Sequence, residues 1–409
     1  MLEREGGGEV LGSSKSPGSV EVFYSGCYVG SLPVMGTENP RDRTGGHHMP
    51  ALPPPPVVRA VEKSRADLQR ASRDLAPAPF ALLEVVMGSM VTQAVYVAAK
   101  LGIAETLADG PLQPAQIAKQ VDADEDAVAR LLRLLASQQI FEQQPDGTYS
   151  LTPMADALRT DHPMSMRDIA LLMGHPIHWE DWGHLLEAVV TGEPSLPKLR
   201  GMGAFEYLAQ NAEYGEVFMK GMGAMSETET GPIIAAYDFS GFNTVVDFCG
   251  GRGGLIAGIL QQSPNISGIL SDPRVDENGA AEFLAEQGVA GRCTVVSGDL
   301  FAPVVPGGDA YVLKHIVHDW PEEQALQILR NVRAAMEPGG KLLLIEMVPP
   351  EAGNDPHSGK LVDMWLMLLV GGKERTASQY ADLVARAGFK LERVVETAAA
   401  VSVVEAIAV

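Results

Sequence analysis

From residue 244 onward the chain alternates short β-rich apolar runs with helical stretches, and that alternation leaves few folds open. The runs at 244–248, 266–271, 293–297, 310–315 and 341–347 read as strands, each followed by a segment of helical spacing. Such a βαβα succession implies an α/β fold: a mostly parallel sheet with helices on both faces. The runs at 390–396 and 402–409 are separated by a short gap and read as a hairpin, so the last strand is expected to run antiparallel.

The chain has 409 residues, too many for one core. Residues 1–75 carry GGG, SSKSPGS, His47-His48 and a four-proline run, and are expected to form an extension without regular structure apart from a short strand within 20–29. The two histidines have no further ligand cluster, so no metal site is expected. Residues 78–165 read as a helix, a helix-turn-helix and a hairpin about Pro145-Asp146-Gly147, the winged-helix pattern. Residues 166–240 read as further helices, and 241–409 as the α/β domain. The apolar run 82–101 is interrupted by Glu84, Thr92, Gln93 and Lys100, and reads as a buried or dimer-forming helix rather than a membrane span.

In open parallel sheets, ligands bind beyond the carboxyl ends of the strands. Here the first strand ends in Asp247-Phe248-Cys249-Gly250-Gly251-Arg252-Gly253-Gly254, where glycines allow a tight turn and close approach to a ligand. The spacing is neither the full dinucleotide fingerprint nor a phosphate-binding loop with its lysine. The second strand ends in Asp272, placed to accept both hydroxyls of a ribose. The third ends in Gly298-Asp299-Leu300, an acceptor for an adenine amino group with an apolar cover for the ring. Three successive strand ends thus each offer a nucleoside contact.

The fourth strand runs into Lys314-His315-Ile316-Val317-His318-Asp319-Trp320-Pro321-Glu322. Asp319 with Glu322 reads as a capping box, so His318 stands just before a helix at a strand's carboxyl end. Histidine is the side chain best matched to proton removal near neutral pH. His315 is expected to lie within the strand as a structural residue. Glu346 ends the fifth strand, and Glu374 stands in Gly371-Gly372-Lys373-Glu374-Arg375-Thr376.

Together, the segment from Asp247 to Gly253, Asp272, Gly298-Asp299, Lys314, His318-Asp319-Trp320 and the 371–376 segment resemble the caffeic-acid-type and hydroxyindole-type O-methyltransferase family, which includes bacterial small-molecule enzymes. The resemblance runs from about residue 80 to the C-terminus. It implies a Rossmann-like class I methyltransferase domain that binds S-adenosyl-L-methionine, preceded by a winged-helix dimerisation domain that lines the partner's pocket. Gly250, Gly251 and Gly253 would approach the methionine end and sugar, Asp272 the ribose, and Asp299 and Leu300 the adenine. Asp247 and Lys314 would lie near the cofactor. His318 would be the general base, flanked by Glu346 and Glu374. The acceptor pocket would draw on Met173, Trp179, Asp319, Asp363, Met364 and Met367. Two departures stand out: the family usually has glycine at Cys249, whose side chain is expected to crowd the methionine moiety, and Arg252 is bulkier than usual.

The expected activity is methylation of a hydroxyl on a small phenolic, indolic or polyketide-like molecule by a cytoplasmic homodimer. Two other readings remain: an S-adenosylmethionine-binding enzyme that hydroxylates or decarboxylates, and a winged-helix regulator of DNA. A net charge of −21 opposes nucleic acid. The segment 125–136 has only Arg130 and Arg133 as basic residues among leucines that suit burial. Three cysteines without a paired motif fit a reducing compartment.

Overall fold

The computed structural model describes residues 53–409 and, before them, the backbone of an antiparallel hairpin formed by Ser19–Tyr24 and Cys27–Pro33. The short strand expected within 20–29 falls in that hairpin; His47 and His48 lie outside the described residues. The expected unstructured extension is corrected over its last part, because Pro55–Asp74 is a helix, α1. Prolines at a helix's first two positions need no amide partner and pre-set the backbone angle, so the proline run starts this helix.

Helix α2 spans Ala78–Leu101 and stops at Gly102, which takes the left-handed conformation (φ 69°) that favours glycine. Only its second half is packed: Ala94, Ala98 and Ala99 are buried, whereas residues 82–90 are exposed, so of the two expectations, buried or dimer-forming, burial within the chain holds only for the second half. Helices α3 (Pro114–Gln120) and α4 (Glu125–Ser137) follow, the second capped by Asp124. Strands β1 (Phe141–Gln143) and β2 (Tyr149–Leu151) pair as the expected hairpin. Val128, Leu132 and Leu135 of α4 are buried with Ile117, Phe141 and Tyr149 in one core. Leu132 and Leu135 of this helix thus serve packing, with Leu131 partly buried against them, whereas Leu134 is exposed.

Among the helices that follow are α5 (Arg167–Met173), α6 (Pro176–Trp182) and the long α7 (Ala212–Ala236). The α/β part contains β3 (Thr244–Phe248), α8 (Gly254–Gln262), β4 (Ser267–Asp272), α9 (Ala280–Glu286), β5 (Cys293–Ser297), β6 (Ala310–Lys314), α10 (Glu322–Ala334), β7 (Lys341–Glu346), α11 (Ser358–Leu369), α12 (Ala377–Arg386), β8 (Phe389–Glu396) and β9 (Ser402–Ala408). The sheet order is β8-β9-β7-β6-β3-β4-β5. Pairings from β5 through β7 are parallel, and β9 runs antiparallel to both its neighbours. Buried apolar side chains cover both faces of the sheet. Strand order reverses between β3 and β6, the switch point where such sheets open a ligand crevice.

Candidate active site

Strand β3 delivers Asp247 to this crevice almost fully buried, and among the described residues neither carboxylate oxygen finds a hydrogen-bond partner. Burial pushes its pKa up to about 7, against the pull of Lys314. A β-carbon at Gly250 would clash with that carboxylate, so only glycine lets the loop close over it. The loop is tied to β4: Asp272 accepts from the Gly251 amide at 3.0 Å and from the Arg274 amide at 2.9 Å. Gly251 and Gly253 both take left-handed angles, and Gly253 starts α8. Beyond β5, Asp299 is exposed and accepts from the Phe301 amide, while Leu300 is half-buried against the core.

Cys249 has φ 61°, a conformation a non-glycine residue adopts only at a cost. Its side chain packs on the core cluster beneath the sheet, and burial pushes the thiol's pKa up. Arg252 lies over the Phe283 ring, 5.0 Å from its centroid.

The residues around His318 come from four segments. His318 sits in a short 3-10 turn, Val317–Asp319, with 5% of its surface exposed. Its Nδ1 lies 2.8 Å from Glu374 Oε1 and 3.3 Å from Glu346 Oε2; only the first has hydrogen-bond alignment. Glu346 Oε1 accepts from the amides of Ile316, Val317 and His318 at 2.9–3.4 Å, so this buried carboxylate anchors the turn as well as facing the ring. Asp363 accepts from the Glu374 amide at 2.9 Å. Gly372 lies so close to the His318 carbonyl that a β-carbon would collide with it, and the Lys373 amide donates to that carbonyl at 2.7 Å.

Burial alone would lower the pKa of His318, but Glu346, Asp319 and Glu374 outweigh it and the net value is pushed up to about 10. Glu346 is itself raised, first by burial and then by Glu374. With Nδ1–H donated to Glu374, Nε2 is the nitrogen whose proton titrates, and with the pKa raised it acts as a base from the unprotonated fraction of the ring. Asp319 Oδ1 stands 3.5 Å from it. The expected capping box is therefore corrected: α10 begins after Pro321 with no side-chain cap, because the 3-10 turn places Asp319 beside the imidazole.

His315 lies just past the end of β6, not within it, at φ 53°. Its Nε2 is 2.8 Å from Glu229 Oε2, and its ring is 5.0 Å from that of His318. Lys314 donates to the carbonyl and hydroxyl of Ser226 and pairs with Glu229 at 3.2 Å. Glu229 is a buried acid of α7 that the sequence reading missed. Burial works against its charge, yet His315 and Lys314 hold it below the ordinary glutamate value. In the sequence it stands in Glu227-Thr228-Glu229-Thr230, two residues from a second acid, and no local pattern singles it out. Ring nitrogens of His315 and His318 and a Glu346 oxygen lie within 4.8 Å of one another, but each ring already shares a nitrogen with a carboxylate.

The residues expected to line the acceptor pocket divide. Asp319 and Asp363 join the surroundings of His318, as above. Met173 and Met367 pack against a cluster centred on Leu172, Tyr214 and Trp365. The Trp179 indole donates to the Met173 carbonyl at 3.0 Å, and Met364 is half-buried.

Two family models match the chain: an O-methyltransferase domain over residues 182–390 and an O-methyltransferase dimerisation domain over residues 83–170. The phenazine O-methyltransferase of Lysobacter antibioticus is 41% identical over 325 residues, covering 80% of this chain and 95% of that protein. A mitomycin biosynthesis 6-O-methyltransferase of Streptomyces lavendulae is 36% identical, covering 76% and 88%. The solved O-methyltransferase of neocarzinostatin biosynthesis, in complex with S-adenosylmethionine and 2-hydroxy-5-methyl naphthoic acid, is 32% identical with a TM-score of 0.67, covering 78% and 96%. The chain belongs to the O-methyltransferase family.

Proposed function

We propose that this chain transfers the methyl group of S-adenosylmethionine to a hydroxyl of a small phenolic or polyketide-like acceptor. The observation that carries the reading is the buried His318, with one ring nitrogen held by Glu374 and the other left to take a proton. Asp247 fits a cofactor site on its own geometry, since a fully buried carboxylate without a partner needs a donor group beside it. Gly250, Gly251 and Gly253 would let the cofactor's methionine end approach the backbone. Asp272 would hold the ribose, Asp299 and Leu300 the adenine, and Lys314 would stand nearby with its ammonium committed to α7.

When bound, the cofactor supplies a methyl group already activated on a positively charged sulfonium. His318 Nε2 would take the acceptor's hydroxyl proton. Glu374 fixes the ring, Glu346 fixes the turn that carries it, and Asp363 fixes Glu374. The surrounding carboxylates stabilise the imidazolium that this transfer produces. Alignment in the crevice and a positioned base together supply the rate. Met173, Trp179, Met364 and Met367 would contribute the apolar surroundings of the acceptor.

The helix pair α3–α4 with its hairpin supports a winged-helix reading of the dimerisation domain, and the exposed apolar half of α2 supports a homodimer. By length and composition α2 would also span a membrane. We favour the dimer, because the matched dimerisation domain begins inside this helix; three cysteines without a paired motif support a reducing cytoplasm, and the net charge of −21 opposes nucleic acid.

The test is incubation of the purified chain with S-adenosylmethionine and a panel of phenols, hydroxynaphthoates and hydroxyphenazines. A product heavier by one methylene, formed together with S-adenosylhomocysteine, is expected. An oxygenated or decarboxylated product with intact cofactor would overturn the reading.

A further inference from the structure

Helix α1 precedes the residues matched by either family model, and one of its faces has no partner among the described residues. Val57, Val61, Ser64, Leu68, Ala71 and Leu75 recur at alternating intervals of four and three residues, which places them along one stripe of a helix. All six are exposed, Leu68 by 70% and Leu75 by 88%. The helix is nevertheless fastened on its other side. Ala66 is buried, Arg59 reaches Glu396 and Arg70 reaches Asp355, both on the catalytic part. A helix held in this way keeps its leucines turned outward, where contiguous apolar surface marks a contact.

The stripe does not end with α1. Through Ala76 and Pro77 it leads into the first half of α2, where Phe80, Leu82, Leu83, Val86 and Met90 are exposed. That half enters the matched dimerisation domain at residue 83. We propose that a second copy of this chain covers the α1 stripe, so that α1 extends the dimer interface begun by α2. The proposal rests on the homodimer reading. Its argument is continuity along the chain: exposed apolar side chains recur from Leu68 and Leu75 through Phe80 to Met90, and those from Leu83 onward lie in the matched dimerisation domain.

The test is the dimer dissociation constant of the full chain, measured by sedimentation over a range of concentrations. Three proteins are compared: the unaltered chain, Leu68→Glu with Leu75→Glu, and Val86→Glu with Met90→Glu. Each copy loses two buried leucines in the α1 variant, so its dissociation constant is expected to rise roughly a hundred-fold or more. Both leucines are exposed in the single chain, so the melting temperature of the dilute monomer should not change. If it does, Leu75→Lys alone decides. An unchanged constant for the α1 variant, with dissociation of the α2 variant, would overturn the proposal and leave the dimer reading standing. An unaltered chain that is monomeric at every concentration would overturn both.

Discussion

Replacing Glu374 by glutamine tests how the base is tuned. The carboxylate oxygen is 2.8 Å from His318 Nδ1 inside a buried site, so solvent screens the pair little. With an effective dielectric constant near 20, unit charges about 4 Å apart interact by about 4 kcal/mol. At 1.36 kcal/mol per pKa unit, complete loss of that term lowers the base's pKa by about three units. Glutamine still accepts a hydrogen bond from Nδ1, and Glu346 remains 3.3 Å away, so a fall of about one to two units is expected. The base must be unprotonated to act. Its acid limb in the pH profile of kcat/KM therefore moves to lower pH, while the plateau falls because a weaker base accepts the proton less readily. The assay is that profile for one acceptor at saturating S-adenosylmethionine. An acid limb that stays in place, or moves to higher pH, would refute the assigned electrostatics.

Three further outcomes follow from the same geometry. The pKa of His318 is raised in the folded chain, so the stability it contributes is present in full below about pH 6.5 and is lost as pH rises through about 10. His318→Gln should flatten the fall in melting temperature across that window, and an equally steep fall in the variant would count against the shift. Gly372→Ala would drive a β-carbon into the His318 carbonyl and displace Glu374, so kcat should drop at least ten-fold while cofactor affinity, read by calorimetry, is kept. At the left-handed Cys249, glycine should give a chain about 1 kcal/mol more stable than alanine in thermal denaturation, since both lose the thiol and only alanine keeps the strain; equal stabilities would remove strain from the account.

The α/β half was legible because its signals are local. Each expected strand lies within a residue or two of the observed one, from 244–248 through 402–409, since β-rich runs bounded by glycine and acid read out without knowledge of neighbours. The loop after β3 was legible for the same reason. What the sequence hid is mostly distant contact. Glu229 meets His315 across 86 residues, and no spacing rule joins them. Nothing local shows that Asp363 accepts the Glu374 amide, eleven residues along the chain. Asp319 followed a capping pattern and was drawn instead into the turn beside the imidazole. Helix α1 was masked by its own start, since a proline run suggests extended chain until the helical spacing behind it is counted.

The central claim is that His318 removes the acceptor's proton. The most direct measurement is kcat for His318→Gln with an acceptor the unaltered chain methylates, alongside calorimetric binding of S-adenosylmethionine. The account predicts a loss of about a hundred-fold to ten-thousand-fold in kcat with cofactor affinity retained. A variant that keeps kcat within a few-fold of the unaltered chain would contradict it.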